Sequence, residues 1–115
     1  MKELPMLTKE KGDIAEEKAV VYLKKMGFKI ITQNYFAKKM GEIDIVATKN
    51  SVYHFIEVKS GKGFDPVYNL TPSKLHKVIN SAQLYLKQHH IHLSFCIDAI
   101  IIRNEQFEFI ENLTI

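Results

Sequence analysis

The stretch from Gly41 to Lys59 leaves the chain little freedom in what it can build. Its arms, Gly41-Glu42-Ile43-Asp44-Ile45-Val46-Ala47-Thr48 and Val52-Tyr53-His54-Phe55-Ile56-Glu57-Val58-Lys59, are rich in β-branched and aromatic residues and meet at the polar Lys49-Asn50-Ser51. That is the pattern of a β-hairpin. With Asn50-Ser51 as a two-residue loop, Lys49 opposes Val52, and each step outward adds one residue per arm. Five steps out, Asp44 opposes Glu57. Opposed residues share a face with Cα atoms about 4.5–5.5 Å apart, and Lys59, two residues beyond Glu57, shares it too. Facing carboxylates repel. The apolar flanks Ile43, Ile45, Val46, Phe55, Ile56 and Val58 put them on a core hairpin, where unpaired charge is costly. A divalent cation offsets the repulsion: a hard ion such as Mg2+ takes oxygen ligands at about 2.0–2.1 Å and is often held by one or two carboxylates with water and phosphate. Lys59 beside it would hold a water or stabilise charge developing on a phosphate. The plainer alternative is a pair of solvated strand-end carboxylates with Lys59 paired to one of them, since carboxylate spacing alone recurs by accident.

The rest of the chain sets the frame. Its 115 residues suit one domain, 1–115, with residues 1–7 and 112–115 expected to be loose. A hydrophobic content of 46% and a charged content of 25% suit a soluble core-forming fold. The net charge of +3 permits nucleic acid as a partner without requiring it. A single cysteine, Cys96, excludes an internal disulfide and fits a reducing compartment. No apolar run reaches membrane-spanning length and the start has no signal-peptide stretch, so a cytoplasmic protein is expected.

Helical periodicity runs from about Thr8 to Met26 through Ala15, Ala19, Tyr22, Leu23 and Met26, with Gly27 as its stop. Glu16 falls at the edge of the apolar stripe, where a boundary residue paired with a lysine one turn away is the ordinary reading. Phe28 to Phe36 reads as a strand interrupted by Gln33-Asn34, and Ala37-Lys38-Lys39-Met40 as a basic turn. Ser60 to Pro66, with two glycines and a proline, reads as a loop in which Lys62 and Phe64 would suit a nucleic-acid strand or simply make a connection. Thr71-Pro72 starts a second helix running to about Gln88, with Leu75, Val78, Ile79, Ala82 and Leu86 as its buried stripe. Lys74 near its start opposes the macrodipole, a mild cost consistent with phosphate contact or with a solvated lysine. His89, His90 and His92 raise zinc, but four ligands in spaced pairs are wanted and only Cys96 is near, so a helix-capping loop is expected. Leu93 to Arg103 is a strand covered on both faces, with Asp98 inside it requiring a partner or an edge. Asn104-Glu105 turns into a last strand, Gln106 to Glu111. Helix, three strands, helix, two strands suits an α/β sandwich, a mixed sheet with helices on both faces.

A helix carrying Glu16, then Gly41-Glu42-Ile43-Asp44 and Phe55-Ile56-Glu57-Val58-Lys59, then Ser73-Lys74 with His76-Lys77, then Asp98, resembles the PD-(D/E)xK nuclease superfamily with its restriction-endonuclease-like fold. Within it the chain is most similar to the YraN family of small bacterial proteins, akin to archaeal Holliday-junction resolvases. The match spans about Gly12 to Ile102. The resemblance implies a Mg2+ or Mn2+ ion on Asp44, Glu57 and the Val58 carbonyl, with Glu42 as an outer ligand. It also implies Lys59 positioning the attacking water, Glu16 completing the acidic cluster, and Lys74 facing phosphates. Gly61 and Cys96 stand where the family tends to have arginine, which removes bidentate phosphate contacts, and Ile43 stands where the superfamily has proline.

Three functions follow as expectations. The first is a metal-dependent endonuclease on phosphodiesters, DNA ahead of RNA and branched DNA among the substrates; a homodimer would suit the two cuts a four-way junction needs. The second is a silent binding module on which Lys38, Lys39, Lys62, Lys74 and Lys77 hold nucleic acid without metal. The third is a protein-interaction domain whose carboxylates are relics.

Overall fold

Residues 8–37, 41–61 and 65–113 are described by the computed structural model. Helix α1 (Thr8–Lys25) ends in a left-handed Gly27 at φ +93°. The Phe28 amide donates to the Leu23 carbonyl at 3.0 Å and the Gly27 amide to that of Lys24 at 3.1 Å. This paired closure satisfies carbonyls that the helix end would orphan, and a glycine adopts it without a Cβ clash. The Lys49 ammonium adds a bond to the Met26 carbonyl at 2.7 Å, tying the helix end to the central hairpin.

Five strands follow: β1 (Lys29–Phe36), β2 (Glu42–Lys49), β3 (Val52–Gly61), β4 (Phe95–Arg103) and β5 (Gln106–Ile110). They form one sheet in chain order, antiparallel except for the parallel pair β3–β4. Between β3 and β4 lie a short 3-10 turn, Pro66–Asn69, and helix α2 (Pro72–Gln88), because parallel neighbours need a crossover rather than a hairpin. Thr71 caps α2 by accepting the Lys74 amide at 3.2 Å, and Pro72 follows where its missing N–H costs nothing. Ser81 and Tyr85 join the expected apolar residues on the buried side of α2.

The β2–β3 hairpin has the expected register, Lys49 against Val52 and Ile45 against Ile56. Asn50 and Ser51 both have positive φ, 52° and 64°, the backbone of a tight hairpin loop that follows the sheet's twist. The β4–β5 join repeats it at Asn104 and Glu105, φ 47° and 66°. Alternation along β3 then decides the layers. Ile56 and Val58 pack with Ala19, Leu23, Ile45 and Ile100 beneath α1. Phe55 packs with Val78, Ala82, Tyr85 and Ile97 beneath α2. The two helices therefore cover opposite faces, and the fold is the expected α/β mixed sheet, compatible with a restriction-endonuclease-like architecture. No described helix is long and apolar enough to cross a membrane.

Some boundaries differ from the sequence expectation. β4 starts at Phe95, and Leu93 is left 49% exposed. Ser60 and Gly61 are not loop; they extend β3 against Ile102 and Arg103. The three histidines behave as a helix end: His89 caps α2 and its ring lies 4.3 Å from that of Tyr85.

Candidate acidic site

Where the β2–β3 ladder stops, carboxylates take over. The last paired residues are Ile45 and Ile56. One step further, Asp44 Oδ2 accepts the backbone N–H of Val58 at 2.8 Å, so a side chain takes a strand amide. β2 also turns over at this point. Ile45 packs beneath α1 while Ile43 packs beneath α2, although strict two-residue alternation would put both on one face. Asp44 sits at the break, which explains how it meets Glu57 on the adjoining strand and also interacts with Glu16 from α1.

The Glu57 side chain is buried, the residue being 8% exposed. Burial first, and then the Asp44 charge, push its carboxyl up to about 8, while Lys59 pulls it down. Burial also raises Asp44, against the Val58 amide, the Lys59 ammonium and the hydrogen bond with Glu57. Two close carboxyls that share a desolvated site hold a proton between them rather than two charges. Even so, Glu57 Oε1 is buried without a hydrogen-bond partner among the described residues. Glu16 is pushed up to about 7 by burial, then by the charges of Asp44, Glu42 and Asp13.

Asn34 binds the upper part of this group. With its amide NH2 turned to the carboxylates, it donates to Glu42 Oε1 at 2.8 Å and to both Glu16 oxygens at 3.1 Å. It occupies the β1 position between Gln33, paired with Ile45, and Tyr35, paired with Ile43. That sets it beside Asp44. Its φ is 55°, a left-handed conformation that asparagine tolerates better than most residues.

Of the residues singled out from sequence, Glu16, Glu42, Asp44, Glu57 and Lys59 therefore interact as one cluster. Lys77 borders the entry to β2: a Cβ on Gly41 would stand 3.8 Å from the Lys77 Cβ. Lys74 is exposed on the first turn of α2. Lys38, Lys39 and Lys62 lie outside the described residues. Asn34 and Asp13 were missed; the polar Gln33-Asn34 break in an apolar strand was the legible sign of the first. Asp98 is paired, as its burial demanded: Oδ2 meets His54 Nδ1 and Oδ1 accepts the Asn112 amide at 2.8 Å.

A divalent oxygen-preferring ion fits this donor set. Among the described residues the buried Glu57 oxygen lacks a hydrogen-bond partner, and Asp44 beside it offers a second hard carboxylate oxygen.

Comparison with known proteins gives a consistent relation. Residues 15–102 match the uncharacterised protein family UPF0102. A UPF0102 protein of Sulfurovum sp. (strain NBC37-1) is 57% identical over 116 residues, covering 100% of both chains. One from Wolinella succinogenes is 51% identical over 95% of this chain and 100% of its own. One from Helicobacter pylori strain P12 is 52% identical over 92% of each.

Proposed function

The chain belongs to the uncharacterised protein family UPF0102, and we propose that it is a metal-dependent nuclease that hydrolyses phosphodiester bonds, in DNA ahead of RNA. The observation that carries this reading is the buried Glu57 oxygen, unpartnered among the described residues, inside a cluster that also contains Asp44, Glu16 and the Lys59 ammonium. Asp44 and Glu57 would hold Mg2+ or Mn2+, with the Val58 carbonyl beside them and Glu42 further out. Bound there, such an ion supplies Lewis acidity and positive charge to a phosphate.

The remaining work belongs to the chain's own groups. The Val58 amide fixes the Asp44 carboxylate, so its orientation is set before any ligand arrives. Lys59 holds the attacking water by hydrogen bonding and offsets negative charge at the phosphorus as the leaving oxygen departs. Asn34 keeps Glu16 and Glu42 together at the cluster's edge, and Glu16, pushed up to about 7, is placed to accept a proton near neutral pH. Lys74 and Lys77, with Lys38, Lys39 and Lys62, would meet substrate phosphates as point charges.

The test is cleavage of branched, duplex and single-stranded substrates in Mg2+ or Mn2+ by wild type, Asp44→Asn and Lys59→Met. Each substitution should lower the rate by about 100-fold or more, and chelator should abolish it. Equal rates in wild type and Asp44→Asn would end the nuclease reading. Salt-sensitive binding in chelator, without cleavage of any substrate, would replace it with the binding module.

A further inference from the structure

A second cluster lies on the α1 side of the sheet, three residues along β3 from Glu57, about 10 Å at the usual strand rise. His54 pairs in register with Cys96 on β4, and Asp98 follows two residues later on the same face. All three are buried, at 5%, 8% and 0% exposure. Their polar atoms converge. His54 Nδ1 stands 2.5 Å from Asp98 Oδ2 and 3.1 Å from Cys96 Sγ, and Cys96 Sγ stands 3.7 Å from Asp98 Oδ2.

We propose that His54 Nδ1, Cys96 Sγ and Asp98 Oδ2 are the ligands of a site for a zinc-like divalent ion, separate from the acidic site. A thiolate, an imidazole and a carboxylate are the donors such an ion prefers. The arrangement does not suit a nucleophilic thiol. In a cysteine–histidine–aspartate relay, the acid and the thiol occupy different ring nitrogens; here both meet Nδ1. With Nδ1–H donating to Asp98, the thiol is left with only a long 3.7 Å bond to the same Asp98 oxygen, and its 3.1 Å approach to Nδ1 is not a hydrogen bond to a lone pair. An ion at the shared point satisfies all three.

Tetrahedral zinc with bonds near 2.0 Å to nitrogen and oxygen and 2.3 Å to sulfur needs ligand edges of about 3.3–3.6 Å. The S–O edge is already there. The His54–Asp98 edge, now closed by a hydrogen bond, opens by under about 1 Å. The supporting contacts are in place. Asn112 holds the second Asp98 oxygen at 2.8 Å, and the Phe28 ring meets the imidazole edge-on at 4.8 Å. Both restrict ligand orientation, as outer contacts do at metal centres. A cleft of about 470 Å³ lined by His54, Cys96 and Glu111 adjoins the three ligands, with room for a water as a fourth. Binding is balanced by loss of the thiol proton to solvent, while the neutral imidazole carries its own proton on Nε2 and leaves Nδ1 free to ligate. Burial and the Asp98 charge push the free thiol up to about 12, so in the absence of metal it stays protonated.

The experiment uses the full chain without a polyhistidine tag, stripped with chelator, reduced with a phosphine and titrated with Co2+ as an optical substitute for zinc. With one cysteine in the sequence, a thiolate-to-cobalt charge-transfer band identifies Cys96 with no variant needed. The expected result is such a band saturating at one equivalent, bleached by Zn2+, and unchanged by excess Mg2+ or by Asp44→Asn. His54→Gln should weaken Co2+ binding at least tenfold, and Cys96→Ser should abolish the band while leaving nuclease-site metal binding intact. Absence of the band in the wild-type protein at excess Co2+ overturns the proposal, as does full cobalt affinity in His54→Gln.

Discussion

At the residue scale, the acidic site depends on two side chains whose behaviour their identity alone does not give. Glu57 is the first. Its carboxyl is pushed from the ordinary 4.5 up to about 8, so between those pH values the folded chain keeps a proton that the unfolded chain has released. Its stabilising effect is complete below about pH 4.5 and is lost as pH rises through about 8. Urea unfolding in chelator should therefore show stability falling over that window. Glu57→Gln should flatten the decline and leave the protein more stable near pH 8, by on the order of a few kcal/mol. Parallel pH profiles in the two proteins would show that the buried proton is absent. Asn34 is the second. Its left-handed φ and its amide are separable, because glycine keeps the first and removes the second. Asn34→Gly should preserve the fold yet raise the Glu16 pKa further above about 7, since the amide is the contact that lowers it. A carboxyl-detected NMR titration of Glu16 measures this, and an unmoved midpoint would deny Asn34 its part. The sequence showed Glu16 at the edge of a stripe and Asp44 facing Glu57. Periodicity did not join them, because it assumes an unbroken strand and β2 turns over at Asp44; only the family resemblance implied that Glu16 completes the cluster. His54 was still less legible: one imidazole in a hairpin has no visible partner until β4 is aligned beside it.

At the element scale, local chemistry was a reliable guide wherever a single motif set the geometry. Two polar residues between β-rich arms fixed the β2–β3 register, Gly27 closed α1 and Thr71-Pro72 opened α2. The parallel β3–β4 pairing is different in kind. It brings together residues some forty positions apart, and no neighbouring turn specifies it; the crossover helix and the apolar run in β4 only make it favourable. Boundaries failed where pairing overrode composition, as at Ser60 and Gly61, which read as loop but are held by Ile102 and Arg103. The hairpin also has an unrelieved cost that can be measured. Ser51 at φ 64° occupies a conformation that costs a residue with a Cβ about 1–2 kcal/mol, and Asn-Gly is the preferred pair for this loop. Ser51→Gly should stabilise the chain by about 0.5–1 kcal/mol after glycine's greater freedom in the unfolded state is counted. Ser51→Val, branched at Cβ, should destabilise it by a larger amount. Urea midpoints at constant slope decide it, and a stability ranking with Val above Gly would mean the loop is not held in this form.

At the scale of the whole molecule, charge is segregated. The chain carries +3 overall, yet Asp13, Glu16, Glu42, Asp44 and Glu57 interact as one acidic group. On the proposed function, a polyanion approaching that group unaided would meet repulsion, so the substrate would have to be drawn in by lysines around it while a divalent ion neutralised the acids. Lys77, bordering the start of β2, and Lys74 on the exposed turn before it are the described candidates. This division of labour predicts two independent dependences for nucleic-acid binding. On duplex DNA, each lysine that meets a phosphate contributes about 0.9 to the slope of log affinity against log salt. Lys74→Ala and Lys77→Ala should therefore each flatten that slope by about that amount, with little dependence on sequence. Asp44→Asn should leave the slope unchanged and should instead reduce the gain in affinity on adding Mg2+. Fluorescence anisotropy across a salt series, with Ca2+ replacing Mg2+ to hold back cleavage, separates the two. If both lysine variants kept the wild-type slope, the phosphates would have to contact a different surface, and the phosphate role proposed for Lys74 and Lys77 would fail even with the metal site intact.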